Sequence, residues 1–157
     1  VLFQSLRSFI LMPANLSQYI VGSLVNLSLI VAAVIVGMEG GLVISVVAPL
    51  IAFFQGFQPN LIMVPMIAIG NIVLVVVVAT LYRKNKLVAL ASAAILKFIA
   101  LYIAVVKIAL PVFLADSPDA MKAALSLNFS WPQLVTAAIG GVLALAVMPL
   151  IKKAIKE

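Results

Sequence analysis

Residues 21–56, VGSLVNLSLIVAAVIVGMEGGLVISVVAPLIAFFQG, form an apolar stretch that is broken by a short glycine-rich turn. A helix needs about 20 mostly apolar residues to cross a bilayer. The stretch therefore predicts two membrane helices joined near Met38–Gly40. Three strongly polar side chains interrupt it at separated points, Asn26, Glu39 and Gln55. Each of them needs an explanation in a segment that otherwise suits lipid and neighbouring helices.

The composition of the whole chain also indicates a membrane protein. Of its 157 residues, 66% are hydrophobic and 9% are charged, and the mean hydropathy is +1.35. A soluble domain is nearer half apolar and a quarter charged. Cysteine and histidine are absent and the four acids are scattered, so we expect no disulfide framework, metal site, carboxylate pair or cofactor. The formal charge of +6 comes mainly from basic residues beside apolar runs, which is typical of topology signals and not of nucleic-acid binding.

Six apolar segments follow one another, and we expect one all-α domain over residues 1–157, a bundle of six transmembrane helices. The first segment would be only about 18 Å long as a helix, so its natural helix is expected to begin before the chain shown. The third segment is short and contains Pro49, which favours a tilt or a kink. The segments are Val1–Met12, Gln18–Gly37, Gly40–Gln55, Leu61–Leu81, Leu87–Leu114 and Trp131–Ile151.

Two short basic stretches orient the bundle. YRKNK at residues 82–86 and IKKAIKE at residues 151–157 are separated by two spans, so they share one side of the membrane. Short basic loops are typical of the cytoplasmic side, which predicts that both termini are cytoplasmic, an N-in/C-in arrangement. Glu39 then lies in a cytoplasmic turn whose glycines permit positive φ, with contact to a cytoplasmic partner as the alternative. The predicted outer loops are Pro13–Gln18, Gly56–Asn60 and Ala115–Ser130, and the last is long enough for a lid or a short interfacial helix.

Polar residues in the outer halves of the spans predict a pocket for a small solute that enters from outside. A charge in the bilayer is costly without a partner, and no acid matches the depth of Arg7 or Lys107. A solute anion could neutralise them; the alternative is that both side chains snorkel to the interface. Asn26 and Asn71 have structural hydrogen bonding as their alternative, and Trp131 the membrane–water belt. The predicted substrate-binding residues are Arg7, Asn15, Gln18, Asn26, Gln55, Gln58, Asn60, Asn71, Tyr102, Lys107 and Trp131.

Lys97 lies near the middle of the fifth segment, and the sequence leaves its role open. It is offset from Lys107 by about 80° around a regular helix, so the two lysines need not face the same cavity. Lys97 could set the floor of the pocket, or it could reach toward the cytoplasmic surface.

Small residues recur at a spacing of four and predict close contacts between helices. These contacts could lie within the chain, or they could form a docking face for a separate membrane subunit. The residues are Ala48, Ala52 and Gly56; Ala89 and Ala93; Ala100 and Ala104; Ala137 and Gly141; and Gly140 and Ala144.

Several chemical motifs are missing from the sequence. It has no glycine-rich phosphate loop, no HExxH motif and no nucleophile–base pair, so neither an ATPase nor another enzyme is predicted. It shows no internal repeat of the kind that secondary transporters carry, and no ring of charges that would suit an ion pore.

The segments at residues 21–41, 48–56 and 59–77 resemble the S components of energy-coupling factor (ECF) vitamin transporters: VGSLVNLSLIVAAVIVGMEGG, APLIAFFQG and PNLIMVPMIAIGNIVLVVV. The resemblance extends from about Val21 to the end of the chain. It implies a six-helix, multi-pass protein of the cell membrane that binds a vitamin in its outer half, below the first, third and fifth loops. It also implies three partners, a transmembrane T component and two cytoplasmic ATPase subunits, besides membrane lipid. The usual Ala-x-x-x-Ala docking motif of the first helix is not visible here.

The predicted substrate-binding residues favour one vitamin among the substrates that the resemblance implies. Pantothenate is small and anionic and is rich in hydroxyl and amide groups, which suits two cations surrounded by amides. A neutral ring such as hydroxymethylpyrimidine or pyridoxine is the alternative, favoured if Tyr102, Phe57 or Trp131 stacks on it. A membrane scaffold or assembly subunit that carries no solute is the alternative of another class.

Overall fold

The computed structural model describes residues 14–58 and 60–156, and their side chains over 17–58 and 60–155. Nearly all of this part of the chain is helical. The helices are α1 (Ala14–Ile35), α2 (Met38–Phe54), α3 (Met63–Leu81), α4 (Lys86–Leu101, which continues as a π-helix over Tyr102–Phe113), α5 (Asp119–Asn128) and α6 (Trp131–Lys156).

The all-α membrane architecture predicted from the sequence is confirmed. Four stretches of the described chain are long and apolar enough to cross a bilayer, and α2 is a shorter apolar helix. The described residues thus contain five bundle helices where six were predicted. The predicted first segment, Val1–Met12, lies outside the described residues. The side of the membrane on which each end of the bundle lies remains a prediction.

The start of α1 and the end of α6 differ most from the predicted helix boundaries. The outer loop expected at Pro13–Gln18 is helical from Ala14 onward, so Gln18 lies in α1. α6 continues to Lys156 instead of ending near Ile151, because lysine and alanine are good helix formers.

The glycines between α1 and α2 serve two different purposes. Gly37 has the positive φ, 105°, that the glycines of this stretch were expected to permit. The turn expected at Met38–Gly40 is wrong by two to three residues, because α2 already begins at Met38 and Glu39 lies in its first turn. Gly41 is helical, and a Cβ atom there would lie 2.6 Å from Cγ1 of Val75. A side chain at position 41 would therefore push α2 away from α3.

Most of the predicted small-residue positions pack inside this chain. Ala48, Ala52, Ala89, Ala93, Ala104, Ala137 and Ala144 are all buried. Gly56 differs, since it is exposed, has a φ of 75° and forms a turn after α2. These alanine faces therefore hold the helices of the bundle together, while the exposed apolar side chains on the other faces suit lipid.

Candidate functional site

A cavity of about 410 Å³ lies at the end of the bundle where α1, α3 and α6 begin. At this end of the bundle the cavity is bordered by α5 and by the segment after α2, and its opposite end, which we call the floor, reaches the middle of the bundle. The polar residues that line it are Gln18, Asn26, Gln58, Asn71, Lys97, Asn128, Gln133 and Thr136. Apolar side chains complete the wall, among them Val21, Pro49, Phe57, Ile67, Leu101, Met121, Leu125 and Phe129.

Lys97 forms the floor of this cavity. Its side chain belongs to α4, and the residue is 3% exposed. The Nζ atom donates to Oδ1 of Asn26 at 2.5 Å and to Oδ1 of Asn71 at 2.8 Å. Of the two roles that the sequence left open for Lys97, the structure supports the pocket floor.

Each of the two asparagines also donates a hydrogen bond from its Nδ2 atom to another helix. Nδ2 of Asn71 donates to the backbone oxygen of Ser45 in α2 at 3.4 Å. Nδ2 of Asn26 donates to Oγ1 of Thr136 in α6 at 3.4 Å, and that hydroxyl donates to the backbone oxygen of Gln133 at 3.2 Å. All five bundle helices of the described chain therefore meet in one set of hydrogen bonds. We call it the Lys97 network: Asn26, Ser45, Asn71, Lys97 and Thr136.

The Lys97 network supplies a hydrogen-bond donor and has no opposing charge. A lysine ammonium group has three N–H donors, and the asparagine oxygens use two of them. Within residues 14–58 and 60–156, the ion pair that the structure contains is that between Lys122 and Asp119, at 3.0 Å on the surface. A solute with an acceptor group, above all an anion, could meet the remaining donor of Lys97 in a setting of low dielectric.

The short helix α5 covers the cavity and is fastened at its C-terminal end. Nε2 of Gln18 donates to the backbone oxygen of Asn128 at 3.3 Å, and Nε2 of Gln133 donates to the same oxygen at 3.0 Å. Met121 and Leu125 of α5 face the cavity. The loop in which a lid or an interfacial helix was predicted thus contains a helix placed as a lid.

The structure brings four of the predicted site residues together at the cavity: Gln18, Asn26, Gln58 and Asn71. Asn26 and Asn71 line it and also form bonds between helices, so the two interpretations of these residues are compatible. Gln55 is exposed and does not line the cavity. Asn60 accepts from the backbone N–H of Ile62 at 3.0 Å, a contact that holds the segment leading into α3.

Other predicted residues lie elsewhere. Lys107 is exposed, and its Nζ lies 5.7 Å from the ring centre of Tyr102. It lines a separate, open depression with Lys122. Trp131 is 54% exposed, and its ring centre lies 6.2 Å from that of Tyr19, an arrangement that suits the membrane–water belt. Arg7 and the side chain of Asn15 lie outside the described residues.

Sequence reasoning missed three polar residues of the cavity, Asn128, Gln133 and Thr136. Gln133 and Thr136 are three positions apart in an apolar segment, and this spacing places them on one face of a helix. That pattern was available in the sequence as a signal. The carbonyl of Ser45 left no comparable signal, since its role depends on which helix lies next to it.

One comparison with known proteins gives a match. The model of the family described as "ECF transporter, substrate-specific component" matches residues 7–152. No curated protein and no solved structure is significantly similar to the chain.

Proposed function

Because the chain belongs to the family of ECF transporter substrate-specific components, we propose that it captures a small water-soluble vitamin in the cavity above Lys97. The observation that carries this proposal is the convergence of five helices on a buried lysine and two oriented amides at the floor of that cavity. Buried polar groups of this kind in a membrane protein usually mark a functional site. The solute would enter from the outer side, and release would follow reorientation of the loaded bundle.

The size and lining of the cavity suit a vitamin-sized molecule. Sites for small molecules commonly measure about 300–1,000 Å³ and are mostly apolar with a few placed polar groups. This cavity, at about 410 Å³, has an apolar wall, the Lys97 network at its floor and the amides of Gln18, Gln58 and Gln133 higher up.

Pantothenate is the solute that we propose first. Its carboxylate would meet Lys97, and its hydroxyl and amide groups would meet the side-chain amides above. From the sequence, Arg7 and Lys107 were the two cations that favoured an anion. Lys97 now supports the same argument more directly, since it lines the cavity while Lys107 does not.

A neutral ring such as hydroxymethylpyrimidine or pyridoxine is the second candidate. Phe57 and Phe129 both line the cavity and offer faces on which such a ring could stack. Under this proposal Lys97 would donate to a ring nitrogen or a hydroxyl oxygen.

Uptake would require the partners that the family implies, a transmembrane T component and two ATPase subunits, because the sequence contains no phosphate-binding motif. Purified alone in liposomes, the chain should bind its solute without accumulating it against a gradient when ATP is added. ATP-driven accumulation by the chain alone would contradict this division of labour.

The decisive experiment identifies the solute directly. The protein is solubilised gently, and any co-purified small molecule is identified by mass spectrometry. Calorimetry then compares pantothenate, hydroxymethylpyrimidine and pyridoxine. Saturable binding of one of them, abolished or weakened by Lys97→Met, supports the proposal. A protein that carries no small molecule and binds none of a broader vitamin panel would instead favour the scaffold alternative.

A further inference from the structure

Pro49 lies inside α2, is buried and lines the cavity. In an α-helix the N–H of each residue donates to the carbonyl four residues earlier, and proline has no N–H. The carbonyl oxygen of Ser45 therefore lacks its helical donor. A buried carbonyl without a donor is costly, especially in a bilayer, so another group has to supply one.

Asn71 supplies that donor from the neighbouring helix. Its Nδ2 lies 3.4 Å from the carbonyl oxygen of Ser45, and the hydroxyl of Ser45 is occupied with the backbone oxygen of Gly41 at 2.8 Å. A carbonyl oxygen can only accept, so the amide of Asn71 has to present its NH₂ group to α2. Its Oδ1 atom then points the other way, toward Nζ of Lys97 at 2.8 Å.

The orientation of one amide thus decides what the floor of the cavity offers. If the amide of Asn71 were reversed, its NH₂ group would face the amino group of Lys97, and two donors would oppose each other. With Oδ1 in place, Lys97 is held between two acceptors and presents a donor to the cavity.

We propose that Pro49 is a positioning residue that determines specificity: by freeing the Ser45 carbonyl, it fixes Asn71 so that the cavity floor selects solutes whose deepest group is a hydrogen-bond acceptor, best a carboxylate. The selection of solutes rests on the function proposed above. The orientation of Asn71 by Pro49 does not depend on that function, so it can be tested without a solute.

The test without a solute is a double-mutant cycle of Pro49→Ala and Asn71→Ala, read as melting temperature in detergent. The alanine in Pro49→Ala restores a backbone N–H to the Ser45 carbonyl, so Asn71 is no longer needed there. Loss of the contact with Lys97 is common to both backgrounds and cancels. We expect Asn71→Ala to lower the melting temperature about twice as much in the unmodified protein as in the Pro49→Ala variant. Equal losses in the two backgrounds would overturn the proposal.

The test with a solute uses pantothenate and panthenol, the analogue in which a hydroxymethyl group replaces the carboxylate. We expect Pro49→Ala to weaken pantothenate binding about tenfold and panthenol binding much less, without a loss of melting temperature. A merely structural proline would change both affinities alike or neither, and either result overturns the specificity role.

Pro65→Ala is the matched control. Pro65 is exposed in the first turn of α3, and the carbonyl oxygen of Leu61 four residues earlier already accepts from the N–H of Val64 at 3.0 Å. In a double-mutant cycle of Pro65→Ala and Asn71→Ala, the two losses of melting temperature should be additive. Pro65→Ala should also leave the affinities for pantothenate and panthenol unchanged. Absence of pantothenate binding by the unmodified protein would contradict pantothenate as the solute, and the double-mutant cycle would still decide the orientation of Asn71.

Discussion

Nζ of Lys97 and Oδ1 of Asn26 lie 2.5 Å apart although 71 positions separate them in the sequence. The contact joins α4 to α1 in the middle of the bundle, at the floor of the cavity. A buried amine between amide oxygens can bind a solute acceptor without first losing a strong ionic partner. This relationship decides which lysine of the chain should matter for binding.

Replacement of Lys97 by methionine should weaken binding of an anionic solute about ten- to a hundredfold. That corresponds to about 1.5–3 kcal/mol, the range for a hydrogen bond to a charged group. Methionine keeps the length and the apolar stem of lysine, but it leaves Oδ1 of Asn26 and of Asn71 without this donor, so a lower melting temperature is expected and is measured beside the affinity. Isothermal calorimetry with pantothenate measures the effect.

Lys107→Met is the matched control for this prediction. Lys107 is exposed outside the cavity, so the structure leads us to expect little change in affinity. If Lys107→Met weakened binding while Lys97→Met did not, the sequence-based assignment of Lys107 to the site would be correct and the assignment of Lys97 would fail.

Gly140→Ala should destabilise the protein by about 1–3 kcal/mol through overpacking. A Cβ atom at Gly140 would lie 2.6 Å from Cβ of Asn26 and 2.9 Å from the backbone oxygen of Ser23, so α6 would have to move away from α1. Binding should weaken as well, because Asn26 belongs to the Lys97 network. Thermal denaturation in detergent and calorimetry test the two effects.

The neighbouring Gly141→Ala provides the comparison. Its Cβ would lie 3.5 Å from Cβ of Leu90, an ordinary contact, and alanine favours a helix over glycine by about 1 kcal/mol. This variant should be neutral or slightly stabilising. Equal losses of stability in the two variants would show that the α1–α6 contact at Gly140 is not the cause.

Gln133→Met should loosen the α5 lid and increase the rates of both solute entry and release. The variant removes one of the two side-chain donors to the backbone oxygen of Asn128, the point at which α5 is fastened. A hydrogen bond of this kind contributes about 1 kcal/mol, so a change of about fivefold in the release rate is expected. Stopped-flow fluorescence with Trp131 as the reporter can follow both steps.

Gln55→Met makes the same chemical change outside the cavity and serves as the control. Its rates should match those of the unmodified protein. Unchanged release from Gln133→Met would mean that α5 does not limit the passage of the solute.

Single cysteines at Lys84 and Ser117 should be labelled from opposite sides of the membrane, with Lys84→Cys reached only from the cytoplasm. The sequence contains no cysteine, so each variant carries one reactive thiol. Lys84 is preferred to Asn85, because the side chain of Asn85 caps α4 by accepting from the N–H of Val88 at 3.1 Å. Labelling of both cysteines from outside intact cells would contradict the predicted orientation and the outer position of the cavity.

Much of the architecture could be predicted from the sequence, because a bilayer imposes a simple requirement on a helix. The apolar lengths predicted the bundle helices of the described chain to within a few residues, and Gly37 adopts the positive φ expected at the first turn. The start of α1 was misplaced because polar residues near a helix end look the same as a polar loop. Asn26 and Asn71 were expected in the site because amides in apolar spans indicate a shared polar interior, and Gln18 and Gln58 because they lie in or beside the predicted outer loops.

The tertiary structure alone decided which of these groups meet and which way they face. Lys97 and Lys107 are alike in sequence, but only Lys97 turns inward, and the π-helix from Tyr102 onward changes the angular spacing that a regular helix would give. The orientation of Asn71 depends on the backbone carbonyl of Ser45, which lies 26 positions earlier in the chain. That carbonyl lacks its helical donor because Pro49 has no N–H. A sequence pattern reports how often a helix turns and how apolar it is, whereas a hydrogen bond between helices depends on their rotation and contact, which follow from packing of the whole bundle.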